Sequence, residues 1–140
     1  MFRIRNYKAE DYLKVKEILE EANLFDPVWD SAENINGKIN NNPESILVAV
    51  ENGEIVGIVI IVDYGPKLKY LFRLVVKKEL RGRGTATKLI EFATKYSKQK
   101  GASEVGLYVD ADNKNLTSFY AKRGFKKSKS KYYYMWLDLK

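Results

Sequence analysis

The sequence predicts an α/β fold: a mixed, mostly antiparallel sheet of six or seven strands with helices on both faces. Three observations carry this expectation. Ile46-Leu47-Val48-Ala49-Val50 and the run from Ile55 to Val62 are rich in β-branched residues and are joined by Glu51-Asn52-Gly53-Glu54, whose Asn-Gly pair supplies the positive φ angles of a tight hairpin. From Thr85 to Lys100 the apolar residues Ala86, Leu89, Ile90 and Ala93 recur at helical spacing, continued by Tyr96 or Ser97, and Gly101 stands at the expected stop. The stretch from Tyr70 to Val76 reads as a third strand of the same sheet, and it feeds directly into Lys77-Lys78-Glu79-Leu80-Arg81-Gly82-Arg83-Gly84.

The remaining elements follow from the same periodicities. Phe2 and Ile4, extending to Asn6-Tyr7, read as a first strand. Tyr12, Val15, Ile18 or Leu19, and Ala22 recur at helical spacing after Glu10-Asp11. Pro27 breaks the pattern between Asn23 and Asp30, and Ser31 is placed to cap a second short helix that ends near Asn40-Asn41-Asn42-Pro43. A turn falls at Gly65-Pro66. Val105, Leu107 and Val109 alternate as a strand, and Leu116, Phe119, Tyr120 and Arg123 mark a short helix stopped by Gly124. Tyr132 to Leu139 alternates again and is expected to close the sheet, with Lys126 to Lys131 as a basic hairpin tip before it. No repeat or linker interrupts the chain, so residues 1–140 are expected to form one domain.

Composition narrows the chemistry. Hydrophobic residues make up 45% and charged residues 31%, enough apolar side chain to offset the entropy of ordering. No apolar run reaches the roughly 18 residues of a membrane span, and the N-terminus does not read as a signal peptide, so a cytoplasmic protein is expected. The chain has no cysteine and no histidine, which removes disulfides, thiolate nucleophiles, imidazole triads and Cys or His metal sites. No metal is expected, and proton transfer falls to Asp, Glu, Tyr, Lys, a terminus or water. Net charge is +7, from 25 Lys and Arg against 18 Asp and Glu, and favours an anionic partner.

The turn from Arg81 to Gly84 is where such a partner fits. A strand feeding a Gly-rich turn that opens a helix gathers unpaired backbone N–H groups and the positive helix end at one point. Gly82 and Gly84 let the chain turn tightly, Arg81 and Arg83 add charge, and Thr85 and Thr87 add hydroxyls. Other phosphate motifs fit worse: Gly-Lys-Ser/Thr is absent, and Thr87 stands where the dinucleotide fingerprint has its third Gly.

Arg81-x-x-Gly84-x-Ala86, followed by Asn113 and Tyr120-x-Lys122-x-Gly124-Phe125, resembles the paired cofactor motifs of the GNAT superfamily of N-acetyltransferases, and the likeness runs along essentially the whole chain. The resemblance implies a co-substrate, acetyl-coenzyme A, bound in a cleft where two parallel strands splay. It implies backbone contacts from Leu74, Val75 and Val76 to the pantetheine arm and a pyrophosphate cradle of Arg81, Gly82, Arg83, Gly84, Thr85, Ala86 and Thr87. A backbone N–H at the end of the third strand would polarise the thioester carbonyl. Asn113 would bond the pantetheine, and the Tyr120 hydroxyl would protonate the departing thiolate. Lys122 or Arg123 falls either near the 3′-phosphate or on the solvated surface. The acceptor would be a primary amine, attacking directly in a ternary complex, with Trp29, Asp63 and Tyr108 on its side of the site. The protein would be a monomer or homodimer with no nucleic-acid or membrane partner.

Two departures from the family pattern stand out. Leu116 replaces a small residue, and Phe72-Arg73 stands where many relatives place a carboxylate base. Asp63, Asp26, Asp30, or a water relay with Tyr108 or Tyr64 remain open for that role. Two other readings share the composition: a coenzyme A-binding domain without activity, against which the intact Tyr120 and Asn113 count, and a basic aromatic module for RNA or single-stranded DNA, against which the alternation of Tyr132 to Trp136 between faces counts.

Overall fold

The computed structural model describes residues 1–140 and divides them into two units, 1–108 and 109–140. In the first, β1 (Phe2–Asn6) leads through a 3₁₀ turn to α1 (Tyr12–Glu21) and α2 (Ala32–Asn41). Three strands follow, β2 (Ile46–Glu51), β3 (Glu54–Asp63) and β4 (Leu68–Val76), then a 3₁₀ turn over Lys78–Leu80, α3 (Thr85–Gln99) and β5 (Glu104–Gly106). The five strands lie in chain order, antiparallel from β1 to β4, with β5 parallel to β4. The β2–β3 hairpin turns where the Asn-Gly signal lies, with φ of 52° at Asn52 and 82° at Gly53. Ser31 caps α2 by accepting from the Asn34 N–H at 3.1 Å.

Helices cover both faces, which explains why β2 and β3 read as unbroken apolar runs rather than alternating ones. On one face Ile46, Val48, Ile58 and Ile60 pack with Val15, Ile18 and Leu19 of α1 and Ile35 of α2. On the other, Ala49, Val59, Ile61 and Leu71 pack with Leu89 and Ala93 of α3. Ser97 lies fully buried on α3 with its hydroxyl donating to the Ala93 carbonyl at 2.7 Å, so no orphaned polar group results. No helix is long and apolar enough to cross a membrane.

The second unit holds one helix, α4 (Lys114–Ala121), capped by the Asn113 side chain, which accepts from the Leu116 N–H at 3.0 Å. Gly124, at φ 94°, ends it. The expected strand from Tyr132 to Leu139 is not formed: that segment has no regular structure, its side chains are exposed, and the sheet has five strands rather than six or seven. Alternation fixes which side chains share a face, but a strand exists only when its backbone groups find a partner edge. Similarly, β5 stops at Gly106, short of the alternating Leu107 and Val109.

One irregularity positions everything near β4. Ile58 pairs with Val75 and Ile60 with Phe72, so Arg73 and Leu74 together face Val59, a one-residue bulge. Arg73 has φ of 54°, a left-handed conformation that costs a non-glycine residue about 1–2 kcal/mol. Its guanidinium makes a two-pronged bond to the buried Asp30 carboxylate, 3.1 Å from Nε and 2.9 Å from Nη2. Asp30 also accepts the Asp26 N–H at 2.9 Å, and its backbone carbonyl takes the Tyr12 hydroxyl at 2.8 Å. The loop between α1 and α2 is thereby tied to the bulge.

Removing the Arg73 side chain strands a buried carboxylate, so Arg73→Ala should destabilise by about 3 kcal/mol. Arg73→Gly loses the same pair but relieves the φ strain and should cost about 1 kcal/mol less. Urea denaturation of both variants checks the order, and equal midpoints would remove strain from the account.

Burial, aided by the charge of Asp11, pushes the Tyr7 hydroxyl from 10.0 to about 12, and that hydroxyl donates to Asn36 at 2.7 Å. A folded pKa above the unfolded one means this stabilisation is complete below pH 10 and lost as pH rises toward 12. Melting temperature should therefore fall across that window, and Tyr7→Phe should flatten the fall.

Candidate functional site

The glycine turn before α3 is built from backbone. Val76 ends β4, the 3₁₀ turn follows, and Gly82 and Gly84 take φ of 81° and 83° before α3 begins. A Cβ at either glycine would meet nothing in the protein within 4 Å, so the glycines answer to conformation and leave open space above the turn. The first backbone bond into α3 runs from the Lys88 N–H to the Gly84 carbonyl at 3.0 Å, so the helix end with its N–H dipoles lies at Thr85 and Ala86.

The side chains of this turn divide. Arg81 turns back and donates through Nε to the Val76 carbonyl at 2.9 Å, bracing the turn against β4. Arg83 stays largely exposed, 3.7 Å from Glu51. Thr85 is buried and Ala86 and Thr87 half-buried, so Thr85 is a packing residue rather than an exposed hydroxyl. Peptide N–H groups, the helix dipole and cationic side chains give this turn the chemistry to hold a polyanion.

Alongside it runs an open strand edge. β5 pairs with β4 only from Leu68–Glu104 to Tyr70–Gly106, so β4 beyond Tyr70 has no neighbour strand on that side. The Lys77 N–H bonds the Val56 carbonyl at 2.8 Å, and antiparallel alternation then directs Val75 toward its partner Ile58 and turns the Val76 amide away from β3. Gly57 lets this part of β4 approach closely, since a Cβ there would lie 3.2 Å from the Val75 carbonyl oxygen. Leu74 and Val76, rather than Val75, present backbone groups to the open edge.

Among the acceptor-side candidates, Trp29 is exposed on the α1–α2 loop that Asp30 anchors, and Tyr108 is exposed just beyond β5. Asp63 is separated from them: it pairs with the buried Lys69, whose ammonium lies over the Tyr96 ring of α3, on the opposite face of the sheet. The candidate bases are also committed elsewhere. Asp30 holds Arg73, and N–H groups of Trp29 and Val28 hold Asp26 below the usual carboxylate range. Arg73 itself, Tyr70 and Gly106 belong to the site region but carry no short motif. Their traces in the sequence are the departure from the family pattern at Phe72-Arg73 and the i, i+2 spacing that puts Tyr70 and Phe72 on one face.

The second unit presents Asn113 and Tyr120. The Asn113 carbonyl oxygen is engaged as the helix cap, leaving its NH₂ as donor. The Tyr120 ring is buried, edge-on to Phe119 and Phe125 at 5.3 and 5.5 Å. Burial pushes its hydroxyl pKa up, so the group holds its proton at neutral pH. Lys122 is exposed, while Arg123 folds over its own helix, 3.6 Å from the Phe119 ring centre and 2.7 Å from the Phe119 carbonyl.

Comparison with known proteins bears on this constellation. The sequence profile of the acetyltransferase (GNAT) family matches residues 5–125. An acetyltransferase of Pectobacterium atrosepticum is 34% identical over 119 residues, covering 85% of this chain and 84% of that one. N-alpha-acetyltransferase 30 of Schizosaccharomyces pombe is 38% identical over 96 residues, covering 66% of this chain and 64% of that one. The fold is that of the PaiA N-acetyltransferase from Thermoplasma acidophilum, solved in complex with coenzyme A, with a TM-score of 0.82, 24% identity and coverage of 94% and 93%. With a five-stranded mixed sheet open beside β4 and a glycine turn at the head of α3, the chain belongs to the GNAT acetyltransferase family.

Proposed function

We propose that the protein moves the acetyl group of acetyl-coenzyme A to a primary amine by direct attack, both substrates being bound together. The observation that carries this reading is the pair of left-handed glycines, Gly82 and Gly84, with open space above them at the head of α3. The segment Arg81 to Thr87 holds the pyrophosphate through its N–H groups and Arg83. Leu74 and Val76 receive the amide-bearing arm along the open edge as an added strand would. Acetyl-coenzyme A supplies the activated acyl carbon. The amine nitrogen bonds to that carbon as the C–S bond breaks. Tyr120, protonated at neutral pH, is the proposed donor to the leaving sulfur, on the family motif and on its burial.

No dedicated base is assigned. Asp30 is locked to Arg73 and Asp26 is a weakened base, so the amine proton passes to water.

Gly84→Leu forces a β-carbon into a left-handed φ and fills the space above the turn, and it should abolish acetyl-coenzyme A binding in calorimetry. Arg83→Ala should weaken binding while leaving the melting temperature unchanged. If the unmodified protein fails to bind acetyl-coenzyme A at millimolar concentration, the proposal is wrong.

Tyr120→Phe keeps the ring and removes the proton, so free-thiol release should fall about 10²- to 10⁴-fold with cofactor affinity retained. In the same assay kcat/KM should climb toward alkaline pH as free amine accumulates. A plateau below neutral pH would point to a dedicated base.

A further inference from the structure

We infer that the rings of Tyr70, Phe72 and Tyr108, with Tyr64 at their edge, form the acceptor platform, and that the acceptor is an amine carried next to an apolar or aromatic group, such as a peptide N-terminus led by Leu, Met or Phe. The inference rests on the acetyl-transfer reading and names the substrate class of that site.

Tyr70 and Phe72 pair with Val62 and Ile60, which places them on the sheet face that α1 and α2 cover. That cover does not reach them: Phe72 is 40% exposed, Tyr108 70% and Tyr64 71%. Isolated apolar side chains at a surface are ordinary, but these rings form one connected group. Tyr70 is its hub, stacked on Tyr108 at 5.7 Å and 20°, edge-on to Tyr64 at 6.1 Å and 81°, and 6.3 Å from Phe72. Phe72 and Tyr108 are themselves 6.4 Å apart at 29°.

The backbone makes room for this group. Gly106, directly across from Tyr70 on β5, has no positive φ to explain it, yet a Cβ there would lie 3.0 and 3.2 Å from the Tyr70 ring. Its missing side chain lets the ring lie flat across the neighbouring strand. The neighbouring Tyr108 hydroxyl, with desolvation, pushes the Tyr70 pKa up, so this phenol keeps its proton at neutral pH.

Position and charge select the occupant. Phe72 adjoins the Arg73 bulge, and the open edge of Leu74 to Val76 proposed for the thioester arm begins immediately after it. A group lying on the rings therefore sits beside the acyl carbon, as the substituent next to a reacting amine would. Two of the carboxylates in this part of the chain are occupied, Asp30 by Arg73 and Asp63 by Lys69 on the other face, which leaves the exposed Glu104 beside Tyr70. A polyvalent cation finds a single unpaired carboxylate there, Glu104, whereas one ammonium beside an apolar group gains both ring contact and the weak attraction of aromatic faces.

The test compares kcat/KM for short peptides that differ only in the first residue, Leu, Met or Phe against Gly, Ser or Asp, with spermidine alongside. Apolar-led peptides should be favoured about tenfold or more, the difference a buried side chain makes. Tyr108→Ser and Phe72→Ser should erase that preference through KM, leaving acetyl-coenzyme A affinity by calorimetry unchanged. Gly106→Val, which lifts Tyr70, should do the same. Preference for spermidine or for Gly- or Ser-led peptides overturns the inference, as does equal loss with every acceptor in the variants. Peptide binding is also measured directly by tyrosine fluorescence. Phe72-dependent binding of Leu- or Phe-led peptides without any acetyl-coenzyme A binding would keep the platform and reject acetyl transfer, and peptide binding indifferent to the first residue would reject the platform alone.

Discussion

The Arg73 guanidinium clasping the Asp30 carboxylate joins two parts of the chain that local forces would leave independent. One is a loop that Pro27 keeps out of helix. The other is a strand carrying an extra residue in a conformation that L-amino acids resist. A buried carboxylate demands a partner, and the fork of an arginine satisfies both oxygens at once. The strain at the bulge and the desolvation of Asp30 are thus offset by the same contact. The loop bearing Trp29, the open edge at Val76 and the ring cluster at Phe72 all take their places from it.

Electrostatics elsewhere follow the same economy. The chain is basic, yet several of its carboxylates are held by specific partners: Asp11 by Arg5, Asp63 by Lys69, Asp30 by Arg73. The positive helix end at Gly84 and the exposed Arg83 therefore stand out as a place for a strong anion. With no imidazole or thiol in the chain, the chemistry proposed for the site rests on position, hydrogen bonds and a phenol.

Much of this was legible in the sequence because it is local. The Asn52-Gly53 turn, the Ser31 cap, the stripe of α3 and the Gly82–Gly84 turn each answer to constraints acting over a few residues. The Arg73–Asp30 pair spans 43 positions, and no periodicity marks it. Gly106 resembles any strand glycine until Tyr70 is seen lying against it. The segment from Tyr132 to Leu139 failed as a strand for the converse reason: its pattern is local and correct in form, but pairing is not a local property.

The extra residue in β4 also changes the phase of the strand. Leu71 faces α3 and Phe72 faces the α1–α2 side, but two positions later Leu74 again faces α3, with Val75 and Val76 following in the inverted order. The strand is read in two frames, one for the rings and one for the edge beside the glycine turn. A single deletion at Arg73 or Leu74 would remove the bulge and restore plain alternation, leaving Val75 opposite Ile58 and Val76 opposite Gly57 on the faces they now occupy. The two cores therefore do not require the extra residue, and what it sets is the clasp of Arg73 on Asp30.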